Sequence, residues 1–348
     1  MKILGIDTSC DDTCISLLKI EKWKLEILSN VISSQVKLHA KYGGVYPMLA
    51  KREHQKNLPV VFKKALRQAQ GKPDLIGVTV GPGLEPCLWQ GVNFAKKIAE
   101  DLKLPIIPVN HIEAHIVANF IGFNFQFPIS NFQTVLPAVC LVVSGGHTQL
   151  ILMKNIGKYQ LIGETRDDAA GECLDKVARV LGLGYPGGPA IAAEATKLQT
   201  TNYKLQTKLP RPMMYQKNYD FSFSGLKTAV LYDFKTRPLK VRNSKKYIQT
   251  MCHEVQQAVI DVLICKTIKA AKNFKVKSII LGGGVAANNE LRKQFNYKLK
   301  TTNYKLRFLV PPKILCTDNG AMVAATAYFH KGERFNLPEI KADVNLKL

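Results

Sequence analysis

His111 and His115 stand four residues apart in HIEAHIVANF, a segment that reads as the start of a helix, so both imidazoles point to one side. That spacing suits two ligands of one metal ion. The pattern is H-x-x-x-H and not H-E-x-x-H. Glu113 falls roughly 200° around the helix from His111, so a metallopeptidase would lack its general base. A third ligand has to come from elsewhere, and Asp318 in CTDNG is the best placed. It occupies a turn just before a helix, where a carboxylate can be aimed, although the same position also suits an N-cap. Two histidines and one carboxylate leave coordination positions open for substrate, the arrangement of a Lewis-acid site built on zinc or ferrous iron.

Glycine-rich turns form a second group. VVSGGHT at 142–148 and GGGVAAN at 282–288 each follow an apolar run, with GPG at 81–83 and YPGGP at 185–189 as further turns. Backbone N–H groups in such turns can cradle a phosphate. None is a P-loop and none completes G-x-G-x-x-G, which argues against a dinucleotide fold. Carboxylates form a third group. Asp7, Asp11 and Asp12 follow the first strand, a usual place for a phosphate or metal contact in α/β folds. Asp167, Asp168, Glu172 and Asp175 surround a helix start, where complementing the helix dipole is the simpler reading.

These residues need elements to hold them. KILGID, Cys14–Lys19 and Lys24–Ile32 read as strands, 47–70 as a helix with Leu49, Leu58, Val61, Phe62, Ala65 and Leu66 on one face, and DLIGVTVGPG as strand then turn. A helix at 87–100 and the strand LPIIPVN lead into the histidine segment, which Gly122 closes. The pattern then restarts: LPAVCLVVSGGHTQLILM is strand, turn, strand, with helices at 168–182, 189–198 and 246–273. KSIILGGGVAANNELR is strand, turn, helix, RFLVPP a strand, and CTDNGAMVAATAYFH a loop opening a helix. Two similar halves of strands and helices predict an α/β protein with two lobes. Gly turns in both suggest a nucleotide held in a cleft between them. The expected domains are 1–134, with a C-terminal helix 320–348 packing back on it, and a basic lobe 135–319.

At 348 residues the chain is long enough for two cores, and its 46% hydrophobic and 22% charged residues exclude disordered and fibrous classes. Its net charge of +23 suits a polyanionic partner. Residues 151–310 hold 28 basic and 11 acidic side chains. Lys235, Arg237, Lys240, Arg242, Lys245 and Lys246 form the densest run, read as an exposed loop that either is merely solvated or tracks a nucleic-acid backbone. The eight cysteines contain no C-x-x-C and read as buried small hydrophobes of a reducing compartment. No signal-peptide core and no membrane-length apolar run is present, so a cytoplasmic protein without a membrane partner is expected. KLQTTNYKL at 197–205 recurs as KLKTTNYKL at 298–306, which reads as repetitive insertions in two surface loops.

The motifs GIDTSCDDT, SQVKLHAKYGGVYP, HIEAH, VSGGHTQL, DDAAGECLDKVARVLGLGYPGGP, DFSFSGLKT, GGGVAAN and CTDNGAMVA stand in the order of the TsaD family, which the chain resembles from residue 2 to about 328. The family consists of tRNA N6-adenosine threonylcarbamoyltransferases, once labelled O-sialoglycoprotein endopeptidases and related to Kae/Qri-type proteins. The resemblance implies a two-lobed actin/Hsp70/sugar-kinase-like fold with duplicated mixed-sheet domains. It implies transfer of the threonylcarbamoyl group from L-threonylcarbamoyl-adenylate to N6 of the adenosine 3′ to the anticodon, in tRNAs reading ANN codons, with release of AMP. It further implies one divalent metal, usually Fe2+ and sometimes Zn2+, on His111, His115 and Asp318. Substrate contacts carry over to Val142, Val143, Ser144, Gly145, Gly146, Asp175, Gly188 and Asn288, and an ATP- or ADP-type nucleotide can occupy the same cleft. Implied partners are tRNA, a TsaB-like paralogue and a TsaE-like ATPase, with the adenylate supplied by a TsaC-type synthase. The first motif departs from the family in carrying Asp7 where Glu is usual, and Asn289 stands where Arg is common.

The chemistry fits this resemblance. The adenylate has a good leaving group, whereas the adenine N6 lone pair is conjugated into the ring, so the site must activate the carbonyl and align the partners. No covalent intermediate is needed, and Asp11 is the expected proton acceptor or positioning group. A fold-related ATPase or kinase would explain the glycine turns but not the His/His/Asp set. A non-catalytic scaffold paralogue should lack that set.

Overall fold

The computed structural model describes residues 1–21, 24–121, 133–198, 208–301 and 305–348. The chain forms two compact units. The first comprises Met1–Val135, Asn155–Lys158 and Val310–Leu348, and the second Leu136–Lys154 and Tyr159–Leu309. Asp318 is thus in the same unit as the histidine pair, and not in the second lobe that a boundary at 319 would give.

The first unit is built on β1 (Lys2–Asp7), β2 (Asp12–Glu21), β3 (Lys24–Ser34), β4 (Leu75–Gly81) and β5 (Ile106–Asn110), in the order β3-β2-β1-β4-β5. Its helices are α1 (Val36–His39), α2 (Pro47–Ala69), α3 (Glu85–Leu102) and α4 (His111–Val117). β1 pairs antiparallel with β2 and parallel with β4, and β4 parallel with β5. In β1 every residue after Lys2 is buried, because helices cover both faces of the sheet. Leu4 and Ile6 pack with Leu58, Val61 and Ala65 of α2 and Val92, Ala95 and Ala99 of α3. The inward face of α2 runs through Ala50, His54, Leu58, Val61, Ala65 and Ala69, so Leu49, Phe62 and Leu66 lie on its flanks, only partly buried.

The other face of β1 carries Gly5 and Asp7, since strand side chains alternate. Gly5 is in register with Gly77 of β4. A Cβ on Gly5 would lie 2.0 Å from the Gly320 carbonyl oxygen, and one on Gly77 2.6 Å from the Ala327 Cβ. The two glycines make the trough in which a late helix, Gly320–Phe329, lies against the sheet.

The second unit repeats the sheet plan with β6 (Ala138–Val143), β7 (Thr148–Asn155), β8 (Lys158–Glu164), β9 (Ser278–Gly282) and β10 (Arg307–Leu309), in the order β10-β9-β6-β7-β8. Its helices are α5 (Ala170–Val180), α6 (Gly187–Thr196), α7 (Ser224–Thr236), α8 (Leu239–Arg242), α9 (Lys245–Asn273) and α10 (Asn289–Thr301). The late helix of the first unit is α11 (Gly320–Phe329). It ends there, and the expected helix 320–348 does not form: Leu337–Glu339 is one short turn, and Asp343 N–H bonds the Val80 carbonyl.

The basic run is not a loop. It spans the end of α7, the single turn α8 and the start of α9. Its missing helical period came from Pro238, which stands just ahead of α8 as its N-cap residue. Arg237 and Arg242 are among its engaged cations. Arg237 bonds buried Asp233 through Nε (3.2 Å) and Nη2 (2.9 Å), and Arg242 stacks over Phe234 at 5.2 Å. Lys235, Lys240 and Lys245 are exposed beside exposed Tyr232 and Leu239. All eight cysteines are free thiols, six of them buried, with Cys10 and Cys265 partly exposed. Among the described residues no helix is long and apolar enough to cross a membrane. Gly122 and most of the repeated KLxTTNYKL segments lie outside the described residues, although Lys298–Thr301 closes α10 as helix.

Candidate functional site

β5 runs directly into α4, and Asn110 caps the junction by accepting from Ile112 N (2.8 Å) and Glu113 N (3.2 Å). All seven residues of α4 are buried. So short a helix is not stable alone, so packing holds it. The four-residue spacing brings the two imidazoles together, with ring centroids 4.6 Å apart.

Asp318 meets them from the turn ahead of α11. Asn319 caps that helix, its Oδ1 accepting from Met322 N at 2.9 Å, which leaves the Asp318 carboxylate free of capping. Its Oδ1 lies 3.3 Å from His115 Nε2 and 3.6 Å from His111 Nε2. One donor atom from each of the three residues lies within 4.8 Å of the others. Two ligands of a tetrahedral ion with bonds of about 2.1 Å are roughly 3.4 Å apart, so the set is spaced for one ion. Neither nitrogen of buried His115 makes a hydrogen bond, a costly state that a cation would relieve. The Asp318 side chain is 22% exposed, which leaves the group open on one side.

Asp7 orients the first histidine. Its Oδ2 accepts from His111 Nδ1 (3.1 Å) and Thr79 Oγ1 (3.0 Å), and its Oδ1 from Ser9 N (2.7 Å). With Nδ1 committed to Asp7, Nε2 is the ring atom turned to Asp318. Burial alone would lower the His111 pKa, but Asp7 and Asp318 outweigh it and push it up to about 9. Burial likewise opposes the charge on Asp318, yet the His111 charge and the His115 contact hold its carboxyl below the usual range. Burial keeps His115 low. The three groups behave as one charge-coupled set, which a bound cation would enter in place of protons.

Asp11 lies on the loop after β1. Its Oδ2 is buried without a hydrogen-bond partner, and burial, helped by the Asp318 charge, raises its pKa. His54 of α2 holds this loop: Nδ1 meets Thr13 Oγ1 at 2.8 Å and Nε2 the Cys10 carbonyl at 3.0 Å. Sequence reasoning missed the roles of Asp7, Thr79 and His54. The strand alternation that puts Asp7 on the Gly5 face was the available signal for the first.

The expected substrate contacts fall in the second unit. Val142 and Val143 end β6 and are fully buried, Val142 paired with both β7 and β9, so neither is exposed to a ligand in this structure. Ser144 closes the following turn with His147, and Gly145 and Gly146 are exposed, with nothing within 4 Å of a Cβ at either. Asp175 and Gly188 come together, Asp175 Oδ1 accepting from Gly187 N (2.6 Å) and Gly188 N (3.4 Å). That contact caps α6. Asn288 caps α10 through Leu291 N (3.0 Å) and donates to Gln256 Oε1 at 2.8 Å. Gln256 and Asn288 line an apolar pocket with Leu174, Val259, Ile260 and Val285.

The fold resembles that of component A of the Acidaminococcus fermentans (R)-2-hydroxyglutaryl-CoA dehydratase, with a TM-score of 0.52 at 15% identity, covering 96% of this chain and 100% of that one. It also resembles full-length HypF in its phosphate- and nucleotide-bound form, with a TM-score of 0.53 at 13% identity, covering 95% of this chain and 55% of that one. This is the actin/Hsp70/sugar-kinase-like α/β class. Sequence comparison is more specific. The family model "TsaD: tRNA N6-adenosine threonylcarbamoyltransferase" matches residues 26–325. The tRNA N6-adenosine threonylcarbamoyltransferase of Syntrophomonas wolfei is 45% identical over 339 residues, covering 97% of this chain and 94% of that protein. That of Clostridium botulinum strain Hall is 43% identical over 353 residues, covering 100% and 98%. Agreement of this extent over both units means that the chain belongs to the TsaD family of tRNA N6-adenosine threonylcarbamoyltransferases.

Proposed function

We propose that the chain transfers the threonylcarbamoyl group of L-threonylcarbamoyl-adenylate to N6 of the adenosine 3′ to the anticodon in tRNAs reading ANN codons, with a divalent metal on His111, His115 and Asp318. The observation that carries the metal is the buried, unbonded His115 ring facing Asp318 beside the oriented His111. Iron(II) is the proposed ion and zinc the alternative, since two imidazoles and a carboxylate suit both. When bound, the ion supplies Lewis-acid polarisation of the acyl group.

The chain's own groups do the rest. N–H groups of the Ser144–Gly146 turn, with room around both glycines, suit the phosphate of the adenylate or of an ATP- or ADP-type nucleotide. The N6–carbonyl bond forms, the carbonyl–phosphate oxygen bond breaks, and AMP leaves with both electrons of that bond. Asp11, desolvated and raised in pKa, is suited to take the N6 proton. Cys10 is no nucleophile: burial, and the nearby carboxylates after it, push its thiol well up. Lys235, Lys240 and Lys245 suit tRNA phosphates. A TsaB-like paralogue and a TsaE-like ATPase are the proposed partners, with adenylate from a TsaC-type synthase, in the cytoplasm.

The test is His111→Ala and His115→Ala in the full chain. Each should lose bound metal by elemental analysis and lose transfer, with circular dichroism unchanged. Normal metal content in either variant contradicts the proposal.

A further inference from the structure

On the face of α4 opposite the two ligands, Glu113 is buried, and its carboxylate meets His330, the C-cap of α11. His330 Nε2 lies 3.0 Å from Glu113 Oε1 and 3.1 Å from Oε2, while His330 Nδ1 lies 2.6 Å from Glu333 Oε1. Both ring nitrogens face carboxylates, so both carry hydrogens and the ring is a cation; the Glu113 hydrogen bond is the first cause that pushes its pKa up to about 9. His330 is also the C-cap of α11, where the helix dipole favours a positive charge.

The two helices involved are those that carry the metal-ligand set. α11 is a buried rod with Asp318 just ahead of its first residue and His330 just past its last. α4 is a buried single element with His111 and His115 on one face and Glu113 on the other. Apolar packing limits the separation of two helices better than it limits rotation about their axes. A charge-assisted contact to one carboxylate on the far face fixes that rotation. Metal–ligand distances tolerate errors of only about 0.2 Å, so a small turn of α4 would spoil the set.

We propose that Glu113 and His330 are a positioning pair that sets the rotation of α4 against α11 and so aims the His111 and His115 ring nitrogens at Asp318. The proposal rests on the metal-binding reading of this site. The pair touches neither metal nor substrate.

The test is metal affinity of the full-length chain, measured by competition with a chromophoric chelator for zinc, together with the visible absorption of the cobalt(II)-loaded protein. His330→Ala and Glu113→Gln should each weaken zinc binding about 10–100-fold and alter the cobalt spectrum. His330→Arg, which can still reach Glu113, should restore affinity to near the parent value. The double variant should be no weaker than either single one, because both remove the same contact. If the single variants do not fold, Glu113→Leu with His330→Leu removes both charges together and should show the same loss. Parent affinity with an unchanged spectrum in the variants that fold overturns the pair. So does an additive loss in the double variant. Failure of the parent chain to bind zinc or cobalt at all overturns the metal reading itself, and is told apart by that result.

Discussion

Asp7 is the residue whose environment says most about the site. It is fully buried, and three donors converge on it: His111, Thr79 and the Ser9 backbone. A carboxylate so held fixes the tautomer and the heading of its imidazole. Asp7→Asn keeps the shape but removes the charge, and metal affinity should fall about 10–100-fold by chelator competition; an unchanged affinity would show that the contact does not tune the ligand. The histidine pair and Asp318 were legible in the sequence because each signal is local: a four-residue spacing, and an acidic turn before a helix. The Asp7–His111 contact was not, because it joins residues 104 apart, and only the pairing of β1 with β4, and of β4 with β5, brings them together. His54, 41 residues from Thr13, escaped for the same reason.

At the scale of elements, α7 shows what local reading misses. Its helix begins without a side-chain cap of its own, and Asp167 from a distant turn supplies one. The Asp167 carboxylate accepts from Phe223 N (2.8 Å), Ser224 N (3.1 Å) and the hydroxyls of Ser222 and Ser224. Burial works against the charge, but these hydrogen bonds outweigh it and lower its pKa. A carboxyl lowered on folding contributes stability above its unfolded pKa, about 3.9, that is lost as pH falls through the folded value. Asp167→Ala should therefore cost about 1 kcal/mol at pH 7, a figure kept small because the residue is exposed. The gap to the parent should close in urea melts run below about pH 3; a gap independent of pH would assign the loss to packing. The basic segment gives a second expectation. With Arg237 tied to Asp233 and Arg242 on Phe234, Lys235, Lys240 and Lys245 are among the exposed cations of the run. Changing these three to Glu should weaken tRNA binding and flatten its salt dependence, each lost phosphate contact lowering the slope by roughly 0.7–0.9. Adenylate binding should not change. A parental salt titration would place the tRNA footprint elsewhere.

At the scale of the molecule, the two sheets repeat one plan, and the sequence showed it because each half restarts with an apolar strand and a glycine turn. What it hid was the return of the chain. Residues Val310–Leu348 belong with the first unit, and the reason lies in Gly5 and Gly77, side by side in adjacent strands, which open a trough that only a small-residue helix such as GAMVAATAYF can fill. That return delivers Asp318 to the histidines, so the His111–His115–Asp318 group lies within one unit. The role proposed for this set is threonylcarbamoyl transfer to tRNA. The direct measurement is mass analysis of nucleosides from tRNA incubated with the metal-loaded chain, its proposed protein partners and L-threonylcarbamoyl-adenylate, beside the same mixture carrying His115→Ala. N6-threonylcarbamoyladenosine is expected with the parent chain and none with the variant. Absence of the modified nucleoside from the complete mixture, or its equal appearance with His115→Ala, would contradict this role.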